Sequence, residues 1–147
     1  MTGFYTDRPP MVIHDWMRQQ IKASTGGGFP WSEDFRAIAH VVDGKITAAI
    51  SYDWFTGTAC QMHIVAPGTV TKGLLRRGFW YPFGILKLKS IFTFVGSGNE
   101  LSLNLNRRLG LKEVGLLPGA HYSGDICIFQ MTREQWKTSP ILQGKPS

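Results

Sequence analysis

The sequence predicts one α/β domain built around a mixed, mostly antiparallel sheet. The chain has 147 residues, enough for one domain with its own hydrophobic core. Residues 35–66 consist of apolar segments separated by tight turns, which is typical of an antiparallel meander. After residue 70 helical and strand patterns alternate, and a strand that follows a helical crossover pairs in parallel. We place the domain at residues 1–137 and expect the Pro- and Gly-containing residues 138–147 to form a disordered tail.

The first half of the chain predicts one helix and three strands. Apolar side chains recur on one face of residues 11–23, which indicates an amphipathic helix. A Gly-rich loop follows at residues 24–32. The dipeptide Asp43-Gly44 is a strong signal for a two-residue hairpin turn. The three strands of the meander are predicted at residues 35–42, 45–54 and 58–66.

Residues 71–86 predict a helix that is kinked or broken. The segment is too long and too bulky for a strand, and Leu74, Leu75 and Phe79 lie on one face of a helix. Pro82 has no N–H to donate and clashes with the carbonyl four residues earlier. That carbonyl belongs to Gly78, which lacks a Cβ and can relax the backbone there.

The last third of the chain predicts a strand, a helix and two more strands. Asn99 or Ser97 is a candidate N-cap of the helix at residues 99–109, and Gly110 stands at its C′ position. The strands are predicted at residues 88–95, 111–117 and 125–131.

Charge and cysteine usage limit the functional classes. The net charge is +6, and much of it lies between Lys72 and Lys89, which attracts anions such as nucleic acid, the phosphates of CoA or an acidic partner. A solvated basic surface explains this charge equally well. Cys60 and Cys127 lack the spacing of a zinc or redox motif, so no metal is expected. We expect two buried thiols on strands, and a disulfide between them is the open alternative. No secretion signal or membrane span is visible, and we expect a cytoplasmic protein that does not bind membranes.

Residues 99–115, NELSLNLNRRLGLKEVG, carry the clearest family signal. They resemble the Asn-x-x-Ala/Ser-x-x-Leu-Tyr-x-Lys/Arg-Leu-Gly-Phe-x-Glu-x-Gly segment of the GCN5-related N-acetyltransferase (GNAT) superfamily. The order of elements over roughly residues 35–133, with Gly124-Asp125 before the closing strand, is also similar to that superfamily. More narrowly, the run that ends in Trp80-Tyr81-Pro82-Phe83 resembles small GNAT-like proteins of phages and prophages.

The resemblance implies a fold and a cofactor. The fold is a mixed, mostly antiparallel sheet of about six to seven strands, with helices on both faces and a splayed central parallel pair. The cofactor is acetyl-CoA or another acyl-CoA, with its pantetheine between the strands at 58–66 and 88–95. The implied cofactor contacts are Ile64, Val65, Lys72, Gly73, Leu74, Arg76, Arg77, Asn99 and Ser102.

The implied phosphate loop departs from the family pattern Gln/Arg-x-x-Gly-x-Gly/Ala. In Val70-Thr71-Lys72-Gly73-Leu74-Leu75 only Gly73 matches. Leu75 replaces a glycine that lets phosphates approach the backbone, and its side chain either shields the amides or points into the core. Arg76 and Arg77 are candidate phosphate partners that compensate for the change. Alternatively, Gly73 only starts a helix and the loop binds nothing.

The resemblance also implies catalytic positions. The family's frequent general acid is a Tyr in the last helix, but the aligned residue here is Asn106, whose amide is not an acid. His63 is the best candidate base, and it shares one face of its strand with Gln61, while Met62 and Ile64 share the other. Candidates for the acceptor pocket are Tyr52, Asp53, Gln61, His121 and Tyr122.

Three functions remain open at this point. The first is transfer of an acyl group from acyl-CoA to a small-molecule or protein amine. The second is a non-catalytic phage structural or accessory protein on the same fold, which the altered loop and Asn106 favour. Nucleic-acid binding through Trp80 and Tyr81 ranks last, because these aromatic residues fit a core better. The oligomeric state is open, and a homodimer is compatible with the sequence.

Overall fold

The computed structural model describes residues 3–6, 10–25, 34–67, 70–121 and 123–143. The helices are α1 Pro10–Thr25, α2 Lys72–Trp80, α3 Glu100–Leu109 and α4 Arg133–Lys137, and α2 continues into a π-helical turn at Tyr81–Ile85. The strands are β1 Gly3–Thr6, β2 Arg36–Val42, β3 Lys45–Asp53, β4 Ala59–Val65, β5 Ser90–Gly96, β6 Lys112–His121 and β7 Gly124–Thr132. None of the helices in these described ranges has the length and apolarity to cross a membrane.

The seven strands form one sheet in the order β1-β2-β3-β4-β5-β7-β6. Strands β4 and β5 pair in parallel, and the other neighbouring strands pair antiparallel. The crossover through α2 explains the parallel pair, since parallel strands need a long connection. The predicted mixed, mostly antiparallel sheet is confirmed.

Helices cover both faces of the sheet, as predicted. On one face, Ile13 and Met17 of α1 pack in one cluster with two alanines of β2, with Ala49 of β3 and with Val65 of β4. On the other face, Leu74 and Phe79 of α2 and Leu103 of α3 enter the larger core around β3, β4, β5 and β7. We call these the α1 face and the α2/α3 face.

Strand β1 was not predicted. It has four residues and pairs antiparallel with β2 at the edge of the sheet. Four residues are too few to show an alternating pattern, so the sequence carried no strand signal there.

The predicted break in the second helix is present at Pro82. Helix α2 ends at Trp80, and the chain continues through one π-helical turn. The first turn of α2 is capped by Thr71, whose side chain accepts the N–H of Leu74. Gly110 ends α3 in a left-handed conformation with φ 98°, as expected for its C′ position.

The segment at residues 138–143, which the sequence predicted to be disordered, packs against the domain. Leu142 is 3 % exposed within the larger core. The Ser139 hydroxyl donates to the Leu109 carbonyl at 3.4 Å, and Nε of Arg76 donates to the Ile141 carbonyl at 3.0 Å. The prediction was based on Pro140 and Gly144 and did not take the apolar pair Ile141-Leu142 into account. Burial of this pair holds the segment against the domain. Residues 144–147 lie outside the described residues.

Candidate active site

The parallel ladder between β4 and β5 is short. It joins Ala59 to Ser90, Cys60 to Ile91 and Gln61 to Phe92. Beyond this point β4 stays paired with β3 as far as Val65, and β5 stays paired with β7 as far as Gly96. The two strands therefore diverge after Gln61 and Phe92. We call the opening between residues 62–65 and 93–96 the wedge.

The wedge presents backbone groups that can bind an extended ligand. Strand edges hold N–H and C=O groups in a regular row, and amides of a ligand can pair with them as an added strand would. Ile64 and Val65 lie on the β4 side of the wedge. A ligand that carries amides along an extended arm is therefore of the kind that the wedge can pair with.

Strand parity assigns side chains to the two faces of the wedge. Gln61 and His63 lie on the α1 face, since Val65, two residues on, packs against α1. Phe92 is the register partner of Gln61, so Phe92 and Phe94 point to the same face. Thr93, the first wedge residue of β5, points to the α2/α3 face.

A group of polar side chains lies beside the wedge on the α1 face. Asp53 is the register partner of Gln61, and Ser51 is the register partner of His63. Ser51, Asp53 and Gln61 are only 1 %, 2 % and 3 % exposed. Ser51, Asp53 and His63 each have an interaction partner, which offsets the free-energy cost of burying a polar group. We call Ser51, Asp53, Gln61 and His63 the polar cluster.

Two titrating groups report on this environment. Burial lowers the pKa of His63 to about 4, so its imidazole is neutral near pH 7 and has a nitrogen able to accept a hydrogen bond. The pKa of the Cys60 thiol is raised to about 12 by burial, and then by the negative charges of Asp53 and Asp34. Cys60 on β4 and Cys127 on β7 are both buried and free, with β5 between their strands.

Asn106 lies on the α2/α3 face of the wedge. Its Oδ1 accepts the Thr93 hydroxyl at 2.7 Å, and its Nδ2 donates to the Ser102 carbonyl at 2.7 Å. The residue is 8 % exposed. These bonds tie α3 to the first wedge residue of β5. An amide in this position has no acidic proton, although its remaining N–H can donate a hydrogen bond.

The start of α2 follows β4 at the wide end of the wedge. Leu74 N–H is taken by the Thr71 side chain, and Leu75 N–H by the Thr71 carbonyl. The N–H groups of Lys72 and Gly73 belong to the first turn, where a helix supplies no internal acceptor. The Leu75 side chain is buried in the core and does not shield these amides. Of the alternatives for Leu75, the inward orientation is observed.

The residues predicted to bind the cofactor's phosphates, and Asn99, lie in different surroundings in the structure. Lys72 is exposed at the helix start, where a cation and backbone amides together favour an anion. Arg76 donates to the Ile141 carbonyl and so holds the C-terminal segment. Arg77 is half-buried in the last turn of α2. Asn99 caps α3 by accepting the Ser102 N–H at 3.2 Å.

The predicted acceptor-pocket residues are divided. Asp53 and Gln61 belong to the polar cluster. Tyr52, by contrast, is fully buried on the α2/α3 face, its hydroxyl donates to the Gly78 carbonyl, and burial raises its pKa well above the ordinary value. Its placement in the pocket was wrong because strand parity directs it away from Asp53.

His121 lies over the end of β5. A Cβ on Gly96 would be 3.0 Å from Nε2 of His121, so the glycine makes room for the ring. Nδ1 of His121 lies 3.3 Å from the Ser123 backbone nitrogen and 2.9 Å from the Ser123 hydroxyl oxygen, so the loop residue Ser123 positions the ring. Tyr122 lies outside the described residues.

Sequence reasoning missed four residues of this region, namely Ser51, Phe92, Thr93 and Phe94. The signal for three of them was available. Phe92 and Phe94 share a parity within residues 88–95, and Thr93 is the one polar residue between them. The face to which each parity points depends on the pairing register, which the sequence does not contain.

No protein-family model and no curated protein matches the sequence. Solved structures do match. Spermidine N-acetyltransferase from Vibrio cholerae, in complex with CoA and spermine, is 15 % identical with a TM-score of 0.71, covering 91 % of this chain and 96 % of that chain. A candidate phosphinothricin N-acetyltransferase is 15 % identical with a TM-score of 0.69, covering 89 % of this chain and 98 % of that one. The predicted GNAT fold is thereby confirmed.

Proposed function

We propose that the chain transfers an acyl group from acyl-CoA, with acetyl-CoA the first candidate, to an amine. One observation carries the proposal. Strands β4 and β5 separate after Gln61 and Phe92 and leave a wedge that leads to the start of α2. This arrangement offers strand amides for pantetheine and helix amides for the pyrophosphate in one continuous path.

The cofactor contacts follow from that path. The backbone at Ile64 and Val65 pairs with the pantetheine amides. The N–H groups of Lys72 and Gly73 and the Lys72 ammonium hold the pyrophosphate. Leu74, which the sequence predicted as a contact, is left out because Thr71 takes its N–H and its side chain is fully buried in the core. Asn99, Ser102 and Arg77 complete the proposed set, and Arg76 acts through the C-terminal segment that it holds.

Bound acyl-CoA supplies a thioester, and the residues around the wedge supply the environment for the attacking amine. His63 is neutral near pH 7, so a ring nitrogen can accept a hydrogen bond from the attacking amine or from a water beside it. Its low pKa makes it a weak base, so the proton that the amine loses passes on to water. Gln61 and Asp53 orient the amine from the neighbouring positions. Asn106 donates a hydrogen bond toward the departing sulfur. A thiol pKa of about 8.5 means that the thiolate leaves near neutral pH without a strong acid.

Calorimetric titration with CoA tests the cofactor half. We expect binding that weakens about tenfold in Lys72→Glu, because a cation beside the phosphates becomes an anion. Lys112→Glu on β6 is the matched control, since it makes the same charge change away from the α2 start. Absence of binding at millimolar CoA would overturn the proposal.

Thiol release from acetyl-CoA with a library of amines tests the chemical half. We expect turnover in the wild type and a lower kcat in His63→Ala, with CoA affinity unchanged. The second candidate function is a non-catalytic protein on this fold, which Asn106 favours because it replaces the acid. Tight CoA binding with no thiol release for any amine would select that candidate. A cytoplasmic location and a phage or prophage source stay predictions.

A further inference from the structure

We propose that the acceptor is an amine with one positive charge and an apolar, preferably aromatic body, and that Phe92 and Phe94 bind that body. The inference rests on the proposed acyl transfer and narrows its acceptor class. It comes from the part of the α1 face that lies next to the polar cluster and that the acyl-transfer proposal does not use.

Strand β5 carries two half-exposed phenylalanines in the interior of the sheet. Ile91, Thr93 and Val95 are buried on the α2/α3 face, whereas Phe92 and Phe94 are half-exposed on the α1 face. Their ring centroids are 5.5 Å apart with the planes tilted by 46°. Ile128 and Gln130 of β7 are their register partners and are also half-exposed. Together these four side chains form a partly exposed, mainly apolar surface, which we call the floor.

This floor adjoins the place where the chemistry is proposed. Phe92 pairs in register with Gln61 at the origin of the wedge. Phe94 and His63 each lie two residues further on, on the two sides of the opening. Paired neighbouring strands are about 4.8 Å apart, which sets the separation at Gln61 and Phe92. Beyond that pair the strands diverge, and we expect an amine that reaches His63 from the β5 side to extend its body over the two rings. A flat or branched apolar group fits this floor better than a chain of charged groups.

The charges on this face favour a single ammonium. Within the polar cluster Asp53 is the carboxylate, while Ser51 and Gln61 are uncharged and burial keeps His63 neutral near pH 7. On the far side of the phenylalanines, Lys112 is the register partner of Gln130, so it shares their face and repels a second cation. With a net charge of +6, the chain is poorly suited to an extended polyamine.

The experiment compares matched amines in the acetyl-CoA reaction. We expect kcat/KM for 2-phenylethylamine to exceed that for ethylamine and for spermidine by about tenfold, since one ring buried on the floor supplies that much binding. Phe94→Ala should reduce the preference for the phenyl compound to about threefold or less, and Phe94→Leu should retain most of it. Unchanged CoA affinity in both variants shows that the wedge is intact.

Calorimetric titration of the CoA-loaded protein with 2-phenylethylamine gives a readout that needs no turnover. We expect binding that Phe94→Ala weakens. A preference for spermidine, or a phenyl preference that Phe94→Ala leaves unchanged, would overturn this inference while leaving acyl transfer standing. Failure of acyl transfer itself is recognised separately, in the wild type, either by the absence of CoA binding or by CoA binding without thiol release for any amine. Either result would overturn both proposals.

Discussion

The Tyr52 hydroxyl donates a hydrogen bond to the carbonyl oxygen of Gly78. Pro82 stands four residues after Gly78 and has no N–H, so this carbonyl lacks the i+4 donor of a regular α-helix. Tyr52 on β3 supplies the missing donor. The chain then passes through the π-helical turn, in which the Leu86 N–H bonds to the Tyr81 carbonyl at 3.0 Å. The helix break is therefore compensated from the sheet.

Tyr52→Phe should destabilise the fold by about 1–3 kcal/mol, because it leaves a buried carbonyl without a donor while changing the packing very little. The free energy of unfolding from urea titration measures the effect. The double-mutant cycle with Pro82→Ala identifies the cause. The Pro82→Ala substitution restores a backbone N–H near Gly78, so Tyr52→Phe should cost about 1 kcal/mol less in that background. Strictly additive losses would show that Pro82 does not create the need for Tyr52.

Gly78 also sets how closely α2 approaches β3. A Cβ at this position would overlap Cδ1 of Ile50, which is fully buried. Gly78→Ala should therefore destabilise the protein by about 1–3 kcal/mol through overpacking, despite the better helix propensity of alanine. Thermal and urea unfolding measure this loss.

A second substitution tests that explanation for Gly78. Ile50→Val removes the clashing methyl, so the pair Gly78→Ala and Ile50→Val should be more stable than Gly78→Ala alone. Gly98→Ala is the matched control, because nothing lies within 4 Å of a Cβ there, and its stability should be near that of the wild type. A double variant less stable than Gly78→Ala alone would refute the clash.

Local chemistry allowed much of the fold to be predicted. The Asp43-Gly44 turn joins β2 and β3, Asn99 and Gly110 bound α3, and Pro82 breaks the second helix. Each of these signals is confined to a few residues. The packing of residues 138–143 depends instead on a long-range contact between Leu142 and the core, which no local pattern encodes.

Local patterns also predicted part of the candidate site, and the rest depends on long-range pairing. His63 and Gln61 share a face by parity alone. Which face that is, and which residues of β5 stand beside them, depends on the register of Gln61 with Phe92. That register comes from the packing of two cores on opposite sides of the sheet. Tyr52 was misplaced and Phe94 overlooked for this reason.

The pKa of His63 makes stability depend on pH. It is about 4 in the folded protein and about 6.5 in the unfolded chain, so neither state is protonated above pH 7. Between pH 6.5 and 4 the unfolded chain binds a proton that the folded protein does not, and stability is lost as the pH falls. Partial exposure of the ring reduces the loss to about 1–2 kcal/mol at pH 5.

His63→Asn isolates this effect, since asparagine does not titrate. The difference in unfolding free energy between wild type and variant, measured at pH 8 and again at pH 5, should shift by that amount in favour of the variant. A difference that stays constant with pH would mean that the imidazole titrates alike in both states.

Asn106 and Thr93 form a buried hydrogen-bonded pair that we expect to contribute to the stability of the fold, whether or not it also contributes to catalysis. The Thr93 hydroxyl donates to Asn106 Oδ1 at 2.7 Å. Asn106→Leu should cost about 1–3 kcal/mol, because the buried hydroxyl loses its acceptor. Adding Thr93→Val removes the hydroxyl that has lost its acceptor and should recover part of that loss in urea unfolding.

The turnover of the double variant shows whether Asn106 also takes part in catalysis. If the double variant regains stability yet releases thiol more slowly at unchanged CoA affinity, Asn106 also assists the departing sulfur. If both stability and turnover recover, the role of the pair is only to hold α3 on β5. If the double variant is as unstable as Asn106→Leu, the hydrogen bond between the two residues does not explain the loss of stability.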